Sequence, residues 1–142
     1  MKLTVLGSNG WYSSPTGNTV CILIETNKYY VILDAGDGLS KLDRHIKNEK
    51  PIYLFLSHFH LDHIYGLHIL PKFKFKNHFY IFGQPGTKKY LRQIVDHPYT
   101  LPLKDLQIKV SVKELKEGLN LPPKTPFKIE AQYLFHADPC FG

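Results

Sequence analysis

Apolar and polar positions alternate along this chain with two different periods. A period of two, or a short continuous apolar run, occupies residues 2–6, 19–25, 29–33, 52–56, 79–82, 106–112 and 127–135. These segments predict strands. The short Thr26-Asn27-Lys28 turn joins the second and third into a hairpin. Leu39, Leu42 and Ile46 have helical spacing with charged residues between them, which predicts an amphipathic helix over 38–48, ended before Pro51. A further helix opens at Asp62-His63 and continues through Ile64, Leu67 and His68, with Gly66 letting another element approach closely. A third runs to Ile94, with Leu91, Ile94 and Val95 on one face and Lys88, Lys89 and Arg92 outside. Segments 7–18, 98–102 and 114–126 are rich in Gly, Ser, Asn or Pro and read as loops or connections.

The strongest departure from packing logic follows the continuous apolar run 52–56. There the chain reads Ser57-His58-Phe59-His60-Leu61-Asp62-His63. His58 and His60 sit two apart, so in an extended segment both rings point the same way. Asp62 and His63 open a helix, where the chain turns and aims two more donors into the same space. Three imidazoles and a carboxylate so close together would repel when protonated and be costly to bury unpaired. As ligands of a divalent ion they make chemical sense: imidazole suits zinc, and a neighbouring carboxylate suits zinc, manganese or iron. His68 lies beyond this cluster and reads as structural. His136 follows a strand, as His58 does, and a sheet can bring two strand ends together; taken alone, it is either a further imidazole for the same ion or an ordinary strand-end histidine.

Asp34-Ala35-Gly36-Asp37-Gly38 directly follows the third strand. A carboxylate in a Gly-rich turn at a strand end either orients the ligands of a nearby site or caps the next helix. Asp34 is the candidate for the orienting role. In the loop 7–18, Trp11 and Tyr12 either line the rim of a site or pack over the sheet edge. Lys72-Phe73-Lys74-Phe75-Lys76 alternates base and aromatic. It suits a nucleic-acid contact, but a segment with a buried Phe face and a solvated Lys face explains it better.

Composition adds bounds. The 142 residues predict one domain with a real core. The net charge of +6 with His neutral is compatible with a phosphate-bearing or acidic substrate, and equally with a lysine-rich surface. Two cysteines, Cys21 and Cys140, make no disulfide scaffold. There is no secretory signal pattern, and no apolar run approaches the length of a membrane span, so the simplest expectation is a cytoplasmic protein with no membrane partner. The turn 83–87 lacks the Gly-x-x-x-x-Gly-Lys-Ser/Thr pattern of a P-loop.

The His58-x-His60-x-Asp62-His63 pattern resembles the signature of the metallo-β-lactamase superfamily. Leu3-Thr4-Val5-Leu6-Gly7, Gly17-Asn18-Thr19, Ile32-Leu33-Asp34-Ala35-Gly36, Ile81-Phe82-Gly83 with Gly86, and His136-x-x-Pro139-x-x-Gly142 resemble its ribonuclease Z-like branch. The resemblance covers the whole chain and implies the N-terminal half of an αβ/βα sandwich, with a mixed, largely antiparallel sheet and flanking helices. It implies phosphodiester hydrolysis through a metal-activated water, with two zinc ions in a complete site and manganese or iron as alternatives. Carried over by residue, His58, His60 and His136 would hold one ion, Asp62 and His63 the second, and Asp62 would also steer or deprotonate the attacking water.

The resemblance also implies a bridging Asp and one more His further along. The chain supplies five donors, so the expectation is a single domain over 1–142 that is one half of the fold. That half would be a fragment, or would be completed by the other half or by a homodimer partner, and would have little activity alone. The substrate expected is phosphate-containing, with RNA among the candidates. The alternatives from other classes are a metal-binding module without catalysis, whose site would be closed by four protein donors, and a nucleic-acid-binding module using the basic segments.

Overall fold

The computed structural model describes residues 1–142. Six strands form the main sheet in simple sequence order: β1 (Lys2–Gly7), β2 (Cys21–Glu25), β3 (Tyr30–Leu33), β4 (Ile52–Phe55), β5 (His78–Gly83) and β6 (Lys109–Glu114). The first two pairings are antiparallel and the next three parallel. Each parallel step needs a crossover, and short helical segments supply them: a 3-10 helix Asp37–Arg44, then α1 (Leu61–Ile64) running into a 3-10 helix Tyr65–Lys72, then α2 (Thr87–Ile94). Two small antiparallel ribbons complete the chain: β7 (Gly118–Asn120) with β8 (Ile129–Ala131), and β9 (Tyr133–Leu134) with β10 (Cys140–Phe141). The structure is therefore a mixed sheet, with all four pairings outside the parallel trio antiparallel. No helix is long and apolar enough to cross a membrane.

Period-two alternation decides which residues go where. Leu6, Leu23, Ile32, Leu54 and Ile81 face one side and pack with Leu39, Leu42, Leu67, Leu70 and Leu91 from the crossover segments into the larger core. The opposite face is aromatic in its centre. Tyr53, Tyr80 and Phe82 stack there and are covered by Ile129, Ala131 and Phe141 from the C-terminal ribbons. Toward β1 that face is open: Leu3 is 61% exposed and Val5 55%.

Three sequence expectations are corrected. The segment expected to be helical over 38–48 is a 3-10 helix that ends at Arg44; the backbone N–H groups of His45 and Ile46 both bond to the Leu42 carbonyl, which closes the last turn there. The connection expected over 114–126 contains β7, because Leu115 turns into the second core and Gly118 takes a positive φ of 86° that reverses the chain. The long last strand expected over 127–135 is divided into β8 and β9, which pair with different partners. In the 72–76 segment Phe73 is buried in the core and its flanking lysines are exposed, the half-exposed arrangement rather than a stacking surface.

The site lies at the carboxyl ends of the parallel strands β3 and β4, where side chains meet without a connecting strand to cover them. The turn after β3 and the segment after β4 are clamped together. Asp34 N–H donates to Phe55 O, Ala35 N–H to His63 O and Gly66 N–H to Ala35 O, at 2.7–2.8 Å. A Cβ on Gly66 would collide with the carbonyls of Gly36 and Ala35, so only glycine permits this approach.

Candidate metal centre

His58 follows β4 in extended backbone, and its ring is buried, with 4% exposure. His60 comes two residues later at the N-terminal end of α1, and its ring centroid lies 4.5 Å from that of His58. His136 comes from the far end of the sequence, in the loop between β9 and β10. That hairpin is tied to the end of β4 by Phe141 N–H donating to Ser57 O at 2.9 Å, and to the end of β5 by Gln84 Nε2 donating to Pro139 O at 2.5 Å. The result brings His136 to 4.5 Å from His58 and 5.0 Å from His60, centroid to centroid. Nitrogen atoms of these three rings all lie within 4.8 Å of one another.

His63 packs on the other side of His58, with ring centroids 4.0 Å apart. Its Nε2 lies 3.6 Å from Asp62 Oδ2. Asp62 Oδ2 in turn accepts the backbone N–H of Trp11 at 2.8 Å. Asp62 and His63 thus form a pair beside the trio, outside the group of three nitrogens.

The hydrogen bonds decide which ring nitrogens remain available. Ser57 Oγ lies 2.9 Å from both oxygens of Asp34 and 3.0 Å from His58 Nδ1. A hydroxyl has one proton, which goes to the carboxylate. Ser57 thus accepts from His58 Nδ1–H, and that tautomer leaves Nε2 of His58 as a lone pair. His63 Nδ1–H donates to Asp34 Oδ2 at 2.8 Å and again leaves Nε2. His60 Nε2–H donates to Asp138 Oδ2 at 2.9 Å and leaves Nδ1. His136 Nδ1 sits 3.3 Å from the backbone O and N of Asp138, with Nε2 outside that contact. In His58, His60 and His63 one nitrogen is held by an oxygen partner and the other left bare, the arrangement of metal-ligating histidines. The donor set suits zinc on this chemistry: three imidazoles in one group and an imidazole with a carboxylate beside them.

The electrostatics agree with neutral and charged donors side by side. Burial, together with the neighbouring His63, His60 and His136, pushes the His58 pKa down to about 4, so its ring is neutral near pH 7. Burial also works against a charge on His63, but the hydrogen bond and charge of Asp34, with Asp62 behind them, outweigh it and raise its pKa above the ordinary value. Asp62 is itself partly desolvated, which favours its protonated form. The Trp11 N–H and the adjacent His63 overcome that and hold its pKa below the usual carboxylate range.

Asp34 is 8% exposed and adopts a φ of 58°, in the left-handed region that aspartate enters more readily than most non-glycine residues. It accepts Ser57 N–H at 2.8 Å as well as the Ser57 hydroxyl and His63. It therefore touches two residues of the motif, and no side-chain cap bond from it reaches the helix that follows. Trp11 and Tyr12 line the rim, and His68 bonds through Nδ1 to Tyr65 O, away from the trio. Two contributors escaped the sequence reading. Ser57 stood inside the motif but had no assigned role; its position as the one hydroxyl between a buried strand and the histidines was the available signal. Asp138 reaches His60 only because the β9–β10 hairpin folds back, and nothing local in the sequence reveals that.

Comparison with known proteins gives the following. The family model described as the metallo-beta-lactamase superfamily matches residues 14–128. Ribonuclease Z of Picrophilus torridus is 29% identical over 125 residues, which cover 82% of this chain and 38% of that protein. Ribonuclease Z of Oceanobacillus iheyensis is 27% identical over 156 residues, covering 100% of this chain and 48% of that protein. The crystal structure of the short form of human tRNase Z superposes with a TM-score of 0.77 at 22% identity, over 99% of this chain and 62% of that one; at that identity the likeness speaks to fold. The chain spans about half the length, or less, of the curated relatives it matches.

Proposed function

The chain belongs to the metallo-beta-lactamase superfamily, and from that premise we propose that it contributes the metal-binding half-site of a hydrolase acting on phosphodiester bonds. One observation carries the proposal: imidazoles separated by more than seventy residues converge on one spot, and those of His58 and His60 each have one ring nitrogen held by an oxygen partner and the other left bare. His58 Nε2, His60 Nδ1 and His136 Nε2 would hold one zinc, and Asp62 with His63 Nε2 a second, with manganese or iron as alternatives. A divalent ion in such a site lowers the pKa of water and polarises a phosphoryl oxygen.

The chain's own residues do the rest. Asp34 and Ser57 fix the tautomers of His63 and His58. Asp138 fixes His60. Asp62, ionised and aimed by the Trp11 N–H, steers the attacking water and accepts its proton. The pair offers only two donors from this chain, so its ion is held weakly unless further groups join it. RNA is the substrate class suggested by the names of the relatives, two of which are ribonuclease Z enzymes. Activity belongs to an assembly in which the other half of the sandwich, or a second copy, completes the pair.

Hydrolysis of bis(p-nitrophenyl) phosphate with added zinc or manganese tests this, using this chain and a longer version carrying a second half. The expected result is little turnover by this chain and robust, chelator-sensitive turnover by the longer one. No turnover in either sinks the hydrolase reading; full turnover by this chain, lost in Asp62→Ala, sinks the incomplete-pair reading.

A further inference from the structure

Trp11 is the only tryptophan in the chain, and it is 85% exposed. Tyr12 is 74% exposed, and Leu61 and Tyr65 on the facing helical segment are exposed as well. None of the four belongs to either hydrophobic core. Together with the carboxylates of Asp37 and Asp62 they line a cleft of about 450 Å³, a size that takes a small planar ligand.

The cleft is held in place. Trp11 has a φ of 63°, a backbone conformation that a bulky residue adopts only when its surroundings impose it. It is the centre of a tight turn closed by Tyr12 N–H donating to Gly10 O at 2.7 Å, and its own N–H is anchored on Asp62 Oδ2 at 2.8 Å. The indole lies 6.5 Å from the His60 ring with 23° between their planes, so the platform adjoins the metal centre. Strained backbone, an anchor on a site residue and an unburied indole together have no use in packing.

Charge decides how a ligand lies across the two regions. The carboxylate of Asp37 faces the cleft away from the imidazoles, so a phosphate is repelled from it and belongs at the imidazole cluster. Aromatic rings attract a planar group, and stacking on them tolerates any base. Asp37 Oδ2 already accepts Ser13 Oγ–H at 2.7 Å and Asn18 Nδ2–H at 2.5 Å, which leaves Oδ1 to accept one more donor. We propose that the cleft between Trp11, Tyr12 and Tyr65 is a base-stacking subsite that holds the nucleobase of a nucleotide whose phosphate lies at the imidazole cluster, with an exocyclic amino group donating to Asp37. Placing the phosphate rests on the phosphodiester reading above; the stacking does not.

Trp11 reports directly on this subsite, because no other tryptophan contributes to the fluorescence. The whole chain is titrated with adenosine 5′-monophosphate, inosine 5′-monophosphate and ribose 5-phosphate. The expected result is saturable quenching by the adenosine nucleotide and none by ribose 5-phosphate at tenfold higher concentration. Binding of the inosine nucleotide, which lacks the amino group, is expected to be several-fold weaker. Tyr65→Ala and Tyr12→Ala are each expected to weaken adenosine nucleotide binding about tenfold; two variants are used so that one folding failure leaves the test intact. Equal quenching by ribose 5-phosphate, or affinity unchanged in both variants, overturns the subsite, and equal binding of the inosine nucleotide overturns the Asp37 contact. A blue shift that grows with protein concentration, without nucleotide quenching, overturns it in favour of a contact between copies. Quenching without any phosphodiester turnover leaves the subsite standing while the hydrolase reading falls, and turnover without quenching does the reverse.

Discussion

The trio His58, His60 and His136 and the pair Asp62 and His63 lie side by side but are built differently. The trio is assembled from two distant stretches of chain and depends on the β9–β10 hairpin returning to the end of β4. The pair lies within a single helical turn, and its imidazole is fixed by the buried Asp34 rather than by an exposed residue such as Asp138. The trio brings three imidazole donors, one of them, His58, with its pKa pushed down to about 4. The pair brings a carboxylate and an imidazole that attracts a proton. A site of three imidazoles has enough donors to bind an ion and still leave a position open, while a site of two does not. The difference teaches that the donors able to hold a metal ion are gathered by long-range contacts, while the proton-attracting imidazole is set by local ones.

The largest effect that separates the two regions is on zinc affinity. His58→Ala removes a trio donor and is expected to weaken zinc binding on the order of a hundredfold or more, the upper range even for outer partners of a ligand. His63→Ala is expected to change the tighter zinc affinity by only a few-fold. Competition titration against a chromophoric chelator measures both, and equal losses would erase the distinction between trio and pair.

The next effect is on stability. Gly66→Ala forces a methyl group against the carbonyls of Gly36 and Ala35, which hold the turn carrying Asp34 against the motif helix. It is expected to cost about 2 kcal/mol, in the range for overpacking, read from urea unfolding. A neutral result would show that the clamp does not position the pair.

A third test concerns the proton on His63 in the metal-free chain. Its pKa is raised in the folded state, so it contributes stability that is present below its unfolded value of about 6.5. That contribution is lost as pH rises through the folded pKa. Asp34→Asn removes the hydrogen-bonded charge and leaves only Asp62 to oppose burial, so the pKa is expected to fall and this contribution to shrink. Imidazole proton NMR follows it. A His63 pKa unmoved by Asp34→Asn would mean Asp34 does not govern the pair.

The smallest effect lies at the cleft, outside both groups. Ser13 and Asn18 hydrogen bonds hold the Asp37 pKa below 3.8. Asp37 therefore contributes stability that is present above its unfolded pKa and lost as pH falls through its folded pKa. Asp37→Asn is expected to flatten this acid limb by about 1 kcal/mol, after allowing for partial exposure, seen in thermal melts between pH 5 and 2.

The strands and the pair were legible because their signals are local. Ile52–Phe55 is a continuous apolar run, and His58-x-His60-x-Asp62-His63 lies within one turn of its end. The resemblance of His136-x-x-Pro139-x-x-Gly142 to a family motif marked His136, but the residues alone left its role open. What delivers it is pairing between Cys140–Leu134 and Phe141–Tyr133, two-residue strands too short to announce themselves. The division of segment 127–135 went unseen for the same reason: alternation continues through Gln132, and only the choice of partner strand breaks it. The helix over 38–48 ended early because Ile46, although in register with Leu42, already belongs to the turn beyond Arg44. Asp138 was invisible as a site residue because a hydrogen-bond partner brought in by chain folding leaves no periodic trace.

Zinc K-edge absorption spectroscopy on the chain loaded with one equivalent of zinc, compared with His136→Ala, addresses the trio most directly. Three imidazole nitrogens at about 2.0–2.1 Å, falling to two in the variant with loss of tight binding, is the predicted result. An imidazole count that His136→Ala leaves unchanged would show that the distant strand end does not reach the ion, and the site as described here would be wrong.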